Sequence, residues 1–330
     1  MQNPIILVIA EHFEGKLKPV TLELLTCAEK IRQFQKSSII VTVLGDNVQA
    51  LAERLAKDHG VNVIAVHNPH LQYYNGEIYK TILTKLVGEL QPVFVCVAHT
   101  AQGLDFAPAM ALRSAAACIT GVEGIFQEGG HLCFSRLIFG GKVVTHVVPS
   151  TNATILTVQP GLFKPHSKGQ ASPGKVEMRD MPLQPKQTRS MGIKTVQTPS
   201  GSLAEAKIVV TAGRGIGKKE NLDLIYRLAE IFPKAAVGGS RPVCDMGWLE
   251  YRQQVGVTGA TVNPELYLAC GVSGAVQHLS GMRGAGFVVA INTDPNAAIF
   301  NLADVCVTED LTTFIPALIE AYKKKRQASD

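Results

Sequence analysis

The sequence predicts an α/β protein of two domains, each a mostly parallel sheet flanked by helices. Three observations carry this. Short, unbroken apolar runs alternate with stretches whose apolar residues recur at helical spacing. Such unbroken runs suit parallel strands covered on both faces. The alternation lapses after Gly121 and restarts at Ala206, and the chain of 330 residues is long enough for two domains. The boundary is set at residues 1–203 and 204–330.

Ile5 to Ala10 reads as the first strand, and Pro19 to Phe34 as a helix with Val20, Leu24, Leu25, Ala28 and Ile31 on one face. Strands at Ile39–Leu44, Val61–Val66 and Val93–Ala98 follow, with helices at Asn47–His59, Glu77–Leu90 and Asp105–Cys118. Leu132–Phe139, Lys142–Val148 and Ala153–Val158 are β-rich and separated by Gly140-Gly141 and Pro149–Asn152. They read as antiparallel strands added to a sheet edge. A Pro-, Lys-, Gln- and Ser-rich stretch then leads to the linker near 190–205, with a strand conceivable around Thr188 to Gly201.

The second half gives strands at Ala206–Ala212, Ala235–Val237, Leu266–Cys270, Phe287–Ile291 and Ala303–Val307. Helices are expected at about Lys219–Ile231, Gly274–Met282 and from Asp310 to about Lys325, with Ser273 as an N-cap.

Composition excludes several classes. Apolar residues make up 46% and charged residues 18%, which is ordinary for a globular chain. No apolar run is long enough to span a membrane, and MQNPIILVIAEHF lacks a basic leader. The net charge of +5 is dispersed apart from Lys323–Arg326, so no nucleic-acid stripe is present. The seven cysteines show no CxxC and no metal spacing, and read as reduced core thiols of a cytoplasmic protein. No nucleophile or general base stands out, so no catalytic or metal residue is assigned.

The first βα turn, EHFEGKLKP, is neither GxGxxG nor a P-loop. His99, Thr100 and Asp105 read as an ordinary loop with Asp105 as a helix cap. Gly213-Arg214-Gly215-Ile216-Gly217 follows a strand, but its spacing misses both the dinucleotide and the Walker pattern. Glu265–Asn292 packs a strand, a small-residue turn, a short helix and another strand into one unit. Taken alone, it also reads as a packed turn whose His278 is a satisfied, partly buried residue. Five successive turns nevertheless carry Arg214, Ser240, Arg241, Thr258, Ser273, Gln277, His278, Asn292 and Asp310. Together they describe a crevice at the carboxyl edge of one sheet, suited to an elongated, phosphate-bearing ligand such as a dinucleotide.

With these residues in view, the second half resembles the α subunit of electron-transfer flavoproteins. LYLACGVSGAVQHLSGM followed by VVAIN carries the resemblance most strongly. GRGIG, GGSRPVCDMGW, QVGVTG, NPELY and INTDPNAAIFNLAD stand in that family's order. The resemblance is specific over residues 207–315 and looser over 1–158. It implies a Rossmann-like second domain that binds FAD, and a first domain that contributes to the subunit interface. Its FAD contacts would be Arg214, Ser240, Arg241, the turn Val255, Gly256, Val257 and Thr258, the turn Ser273, Gly274, Ala275, Val276, Gln277 and His278, and also Asn292 and Asp310. Arg241 would lie at the isoalloxazine ring, Thr258 near N5, and His278 near O2, where it would favour the negative charge of the reduced ring. Val257 and Ala260 depart from the family's usual Gln and Lys, which bears on the polarity near the ring.

The resemblance further implies a heterodimer with a β subunit. That complex would carry electrons from acyl-CoA-type dehydrogenases of fatty acid β-oxidation to a downstream quinone-linked oxidoreductase. The alternatives are an electron-bifurcating, NADH-dependent complex with a second FAD in the β subunit, and an NAD-binding domain of similar fold.

Overall fold

The computed structural model describes residues 3–139, 143–165, 172–193, 203–256 and 258–327. It divides into two compact units, Met1–Ile138 with Val143–Lys194, and Phe139–Lys142 with Thr195–Asp330. The sequence reading sets the boundary near 203; residues 194–202 lie outside the described ones.

The first unit runs β1 (Ile5–Ile9), β2 (His12–Phe13), β3 (Lys16–Leu17), α1 (Val20–Phe34), β4 (Ser38–Gly45), α2 (Gln49–His59), β5 (Asn62–His67), α3 (Gly76–Leu90), β6 (Phe94–Ala98) and α4 (Ala101–Arg113). It continues through β7 (Ala117–Glu128), β8 (His131–Ile138), β9 (Val143–Val147), β10 (Thr154–Val158) and β11 (Val176–Asp180). Nine strands form one sheet in the order β11-β5-β4-β1-β6-β10-β7-β8-β9. All neighbours are parallel except β7–β8 and β8–β9. Strand alternation sorts the core into two layers. Ile6 and Val8 pack with α1 and α2, whereas Leu7 and Ile9 pack with α3 and α4.

Four features differ from the sequence reading. Ala153–Val158 is not an edge addition: β10 lies between β6 and β7, parallel to both, and is buried along its whole length. Continuous burial is what two parallel neighbours and covered faces impose. The strand β7 goes unforeseen because Gly121, at φ +68°, and a register shift break its alternation. The strand β11 goes unforeseen because an edge strand reading Val-Glu-Met-Arg-Asp carries little apolar signal. Finally, α4 begins at Ala101, ahead of Asp105. Thr100 Oγ1 accepts the Gly103 N–H at 3.1 Å and caps it, and Asp105 instead accepts the Tyr74 hydroxyl at 2.6 Å. Cys118, expected at the end of this helix, lies in β7. Of the stretch Thr188–Gly201, residues 188–193 form no strand and the rest lies outside the described residues.

The second unit runs β12 (Ile208–Ala212), α5 (Leu222–Glu230), β13 (Ala235–Gly239), α6 (Arg241–Asp245), β14 (Leu266–Cys270), α7 (Val276–Leu279), β15 (Val288–Asn292), β16 (Val305–Thr308) and α8 (Leu311–Gln327). Its five strands are all parallel, in the order β13-β12-β14-β15-β16. The chain moves outward to β13, then crosses back past β12 to β14. The order therefore reverses between β12 and β14, the switch point at which open α/β sheets bind ligands. One face of the sheet packs on α5 and α8. The other is closed by Leu203, Val255, Val262, Met282 and Ile299, which come from turns and loops.

Two expected helices are shorter. Lys219–Asn221 is a 3₁₀ turn that precedes α5. Gly274–Met282 keeps only the single turn of α7, because Gly274 sits at φ +85°, outside helical space. Ser273 therefore does not cap a long helix.

Among the described residues no helix is long and apolar enough to cross a membrane, and no cluster of metal-ligating side chains occurs. All seven cysteines are free.

Candidate functional site

The parallel register brings the ends of all five strands of the second unit to one edge. Gly213–Arg214 follows β12, Ser240–Arg241 follows β13 and Gly271–Ser273 follows β14. Asn292 ends β15, and Asp310 lies just past β16. Arg214, Arg241, Ser273, Ala275, Gln277 and Asp310 are exposed, whereas Ser240, Val255, Gly256, Gly274 and His278 are buried. Val257 lies outside the described residues, and Val276 begins the α7 turn.

Backbone hydrogen bonds stitch these turns together. The Gly213 and Gly215 amides donate to the carbonyls of Cys270 and Gly271 at 2.8 and 2.9 Å. The Ser240 amide donates to Ala212 O, and the Val255 amide to Gly239 O, each at 2.9 Å. The approach is too close for side chains. A Cβ on Gly213 would meet Gly271 O at 2.1 Å, and one on Gly256 would meet Gln277 O at 2.7 Å. Asn292 secures a further link, its Nδ2 donating to Val272 O at 2.9 Å while Oδ1 accepts the Asp294 N–H at 3.0 Å. Its amide is thus engaged on both sides. Asp310 caps the start of α8, accepting from the N–H and the hydroxyl of Thr312, both at 2.7 Å. The Thr312 hydroxyl holds its carboxyl below the usual range.

Two polar side chains at the crevice are held by buried partners. The Gln254 amide donates to Thr258 Oγ1 at 2.7 Å, and Gln254 is itself buried. His278 Nε2 lies 2.8 Å from the hydroxyl of Tyr267, which is fully buried on β14. His278 Nδ1 is also buried and has no hydrogen bond. Burial pushes the imidazole down to about 4, against a weaker opposing pull from the Val255 carbonyl. The ring is therefore neutral at pH 7, so anything it contributes at the crevice is a neutral hydrogen bond.

That shift has a consequence in acid. An unfolded histidine takes up its proton near 6.5, the folded one only near 4. As pH falls through this window the unfolded state binds more protons. The second unit should then lose up to about 3 kcal/mol of stability that it keeps above pH 6.5. Trp248, the single tryptophan, belongs to this unit and reports its unfolding by fluorescence. In His278→Gln this part of the pH profile should flatten.

Arg241 is reached differently. It opens α6 beside Pro242, and its Nε pairs with Asp245 at 3.4 Å. The Tyr251 hydroxyl donates to the same carboxylate at 3.1 Å. Sequence reasoning missed Tyr267, Gln254 and Asp245, the residues that hold the expected ones. One signal was available for Tyr267: a tyrosine inside a buried aliphatic strand needs a partner for its hydroxyl.

The sequence matches the model of the electron transfer flavoprotein domain over residues 6–183. It matches that of the electron transfer flavoprotein FAD-binding domain over 202–283. The chain belongs to the electron transfer flavoprotein α family. An electron transfer flavoprotein subunit alpha of Bacillus subtilis (strain 168) is 33% identical over 319 residues, covering 97% of each chain. That of Thermoanaerobacterium thermosaccharolyticum is 35% identical over 321 residues, with 96% of this chain and 97% of the relative covered. The lactate dehydrogenase (NAD(+),ferredoxin) subunit LctC of Acetobacterium woodii is 32% identical over 320 residues, covering 95% of this chain and 76% of the relative.

The crevice fits the flavin cofactor of this electron transfer flavoprotein family. His278 Nδ1 is a buried ring nitrogen that makes no hydrogen bond, and the glycine turns pack too closely for any Cβ, which leaves main-chain groups at the sheet's carboxyl edge. The family's role is electron transfer, and its members' names describe subunits.

Proposed function

We propose that the carboxyl edge of the β12–β16 sheet holds FAD. Arg214, Ser240, Arg241, the turn of residues 255–258, the turn of residues 273–278, Asn292 and Asp310 would contact it. The observation that carries this reading is that five strand-end turns lie at one edge of a parallel sheet, among them the turn of His278, whose buried Nδ1 makes no hydrogen bond. When bound, FAD supplies the electron chemistry, and the protein binds, orients and tunes it. Exposed Arg214 and Arg241 supply positive charge for phosphates or for a reduced ring. Neutral His278 supplies a hydrogen bond rather than a charge. Asn292 acts through Val272, whose carbonyl it holds, and so shapes the adjoining turn. Asp310 carries negative charge and sits best against ribose or ring N–H groups, away from phosphate.

The chain in this reading is the α subunit of a heterodimer with a β subunit, in the cytoplasm. It takes electrons from acyl-CoA-type dehydrogenases and passes them to a quinone-linked oxidoreductase. A second reading draws on two relatives, named for lactate dehydrogenase (NAD(+),ferredoxin) and for an acryloyl-CoA reductase electron transfer subunit. There the complex bifurcates electrons from NADH with a second FAD in the β subunit. Purifying the chain with its partner and counting flavin separates the readings. One FAD per heterodimer supports the carrier, and two FADs reduced by NADH support bifurcation. A colourless complex that binds NAD(H) overturns both.

A further inference from the structure

We propose that Tyr267 is a positioning residue that fixes the tautomer of His278: its hydroxyl donates to Nε2, so the ring proton resides on Nδ1 and Nδ1–H is the donor that the ring keeps. The inference rests on the FAD reading only for what that donor serves; the tautomer is a property of this chain alone.

Buried protons decide the direction of this bond. Tyr267 Oη and His278 Nε2 lie 2.8 Å apart, and one of them must donate. Both side chains are buried, Tyr267 completely. If Nε2–H were the donor, the tyrosine proton would need another acceptor. The candidate is Thr211 on β12, the strand beside β14. Thr211 Oγ1 is buried and lies beside the Tyr267 hydroxyl, where it favours the deprotonated phenol as a hydroxyl donor does, so it supplies a proton to Tyr267 and does not take one. A tyrosine accepting from Nε2 would bury its own proton unpaired and would set a bare Nδ1 against the Val255 carbonyl. A tyrosine donating to Nε2 keeps its own proton paired, accepts from the Thr211 hydroxyl and puts the ring proton on Nδ1, beside the Val255 carbonyl. The neighbouring Val255 carbonyl favours a protonated ring, as an acceptor beside an N–H does.

The fold explains why this pairing is available. Tyr267 points from β14 into the face of the sheet closed by turns and loops. The chain leaves β14, turns at Gly271 and Gly274, and brings His278 back over the same strand. The rings meet edge to face at 6.2 Å. A rigid strand thereby fixes which nitrogen of a turn residue carries the proton.

The test is ¹⁵N NMR of the histidine ring nitrogens in the full chain with its partner subunit, both with FAD and after its removal. The signal of His278, one of nine histidines, is identified by its loss in His278→Gln. The wild-type ring should show a protonated Nδ1 and a bare Nε2. Tyr267→Phe should shift the ring toward a mixture of the two tautomers, with circular dichroism unchanged. Thr211→Val should leave the tautomer as in wild type. With FAD bound, Tyr267→Phe should lower the reduction potential by less than His278→Ala does, and should add nothing in the His278→Ala background.

A wild-type ring protonated at Nε2, or a Thr211→Val ring that changes tautomer, overturns the proposal. If Tyr267→Phe does not fold, the wild-type and Thr211→Val spectra still decide it. The expected tautomer with potentials unmoved in both Tyr267→Phe and His278→Ala overturns the role of His278 at the flavin and leaves the hold of Tyr267 on the ring standing.

Discussion

Replacing His278 with alanine is expected to lower the potential for the first electron taken by bound FAD. A hydrogen bond to a charged acceptor is worth about 1.5–3 kcal/mol. If the bond forms only once the ring is negative, its loss corresponds to roughly 65–130 mV for one electron. The structure sharpens the physical basis. Burial keeps the imidazole neutral, so the effect should be flat across pH 6–8 instead of following a histidine titration. His278→Gln retains a neutral donor and should recover part of the loss. Potentiometric titration of the reconstituted complex measures all three forms. A wild-type value kept in the alanine variant would remove His278 from the electron-tuning role.

Gly274→Ala should have the largest effect on stability. Gly274 sits at φ +85°, where an alanine is strained, and its Cβ would meet the backbone N of Ile299 at 2.1 Å. Neither strand of that contact can swing aside as a side-chain end could. The Ile299 amide is hydrogen bonded to Ser273 O at 3.2 Å, and Ile299 is fully buried in the core. Backbone strain and overpacking together should cost roughly 3–5 kcal/mol. Gly247, also at positive φ but with nothing near its Cβ, is the matched control and should lose only the strain. Urea unfolding followed by Trp248 fluorescence gives both numbers. Similar losses in the two variants would show that the crowding at Gly274 is relieved by local movement.

The second unit was the more legible half. Its strands are short and unbroken, and each ends in a glycine or a small polar residue, so edge and crevice follow from the periodicity alone. What the sequence hides is set by neighbours. Thr154–Val158 looks like one more antiparallel strand until its two parallel partners are known. Thr100 and Asp105 compete as caps, and only the backbone path decides for Thr100. At the crevice, the exposed tips such as Arg241 and Gln277 could be named from their place after strands. The buried residues behind them could not, because Tyr267 reads as ordinary core and its hydroxyl contact spans a turn. The protonation of His278 was likewise invisible, since it depends on burial rather than on any neighbour in sequence.

The uneven covering of the β12–β16 sheet limits how this protein can be altered. One face is covered mainly by the helices α5 and α8. On the other, Val255, Met282 and Ile299 seal the core from the turns that border the crevice. Most binding loops sit on a scaffold that stays intact when they change. Here the loop anchors are themselves scaffold, so retuning and unfolding share residues. Room for variation is left at the exposed tips Ala275 and Gln277, which project from those anchors without filling the core. A library built to change redox behaviour should vary those tips and leave the anchors alone.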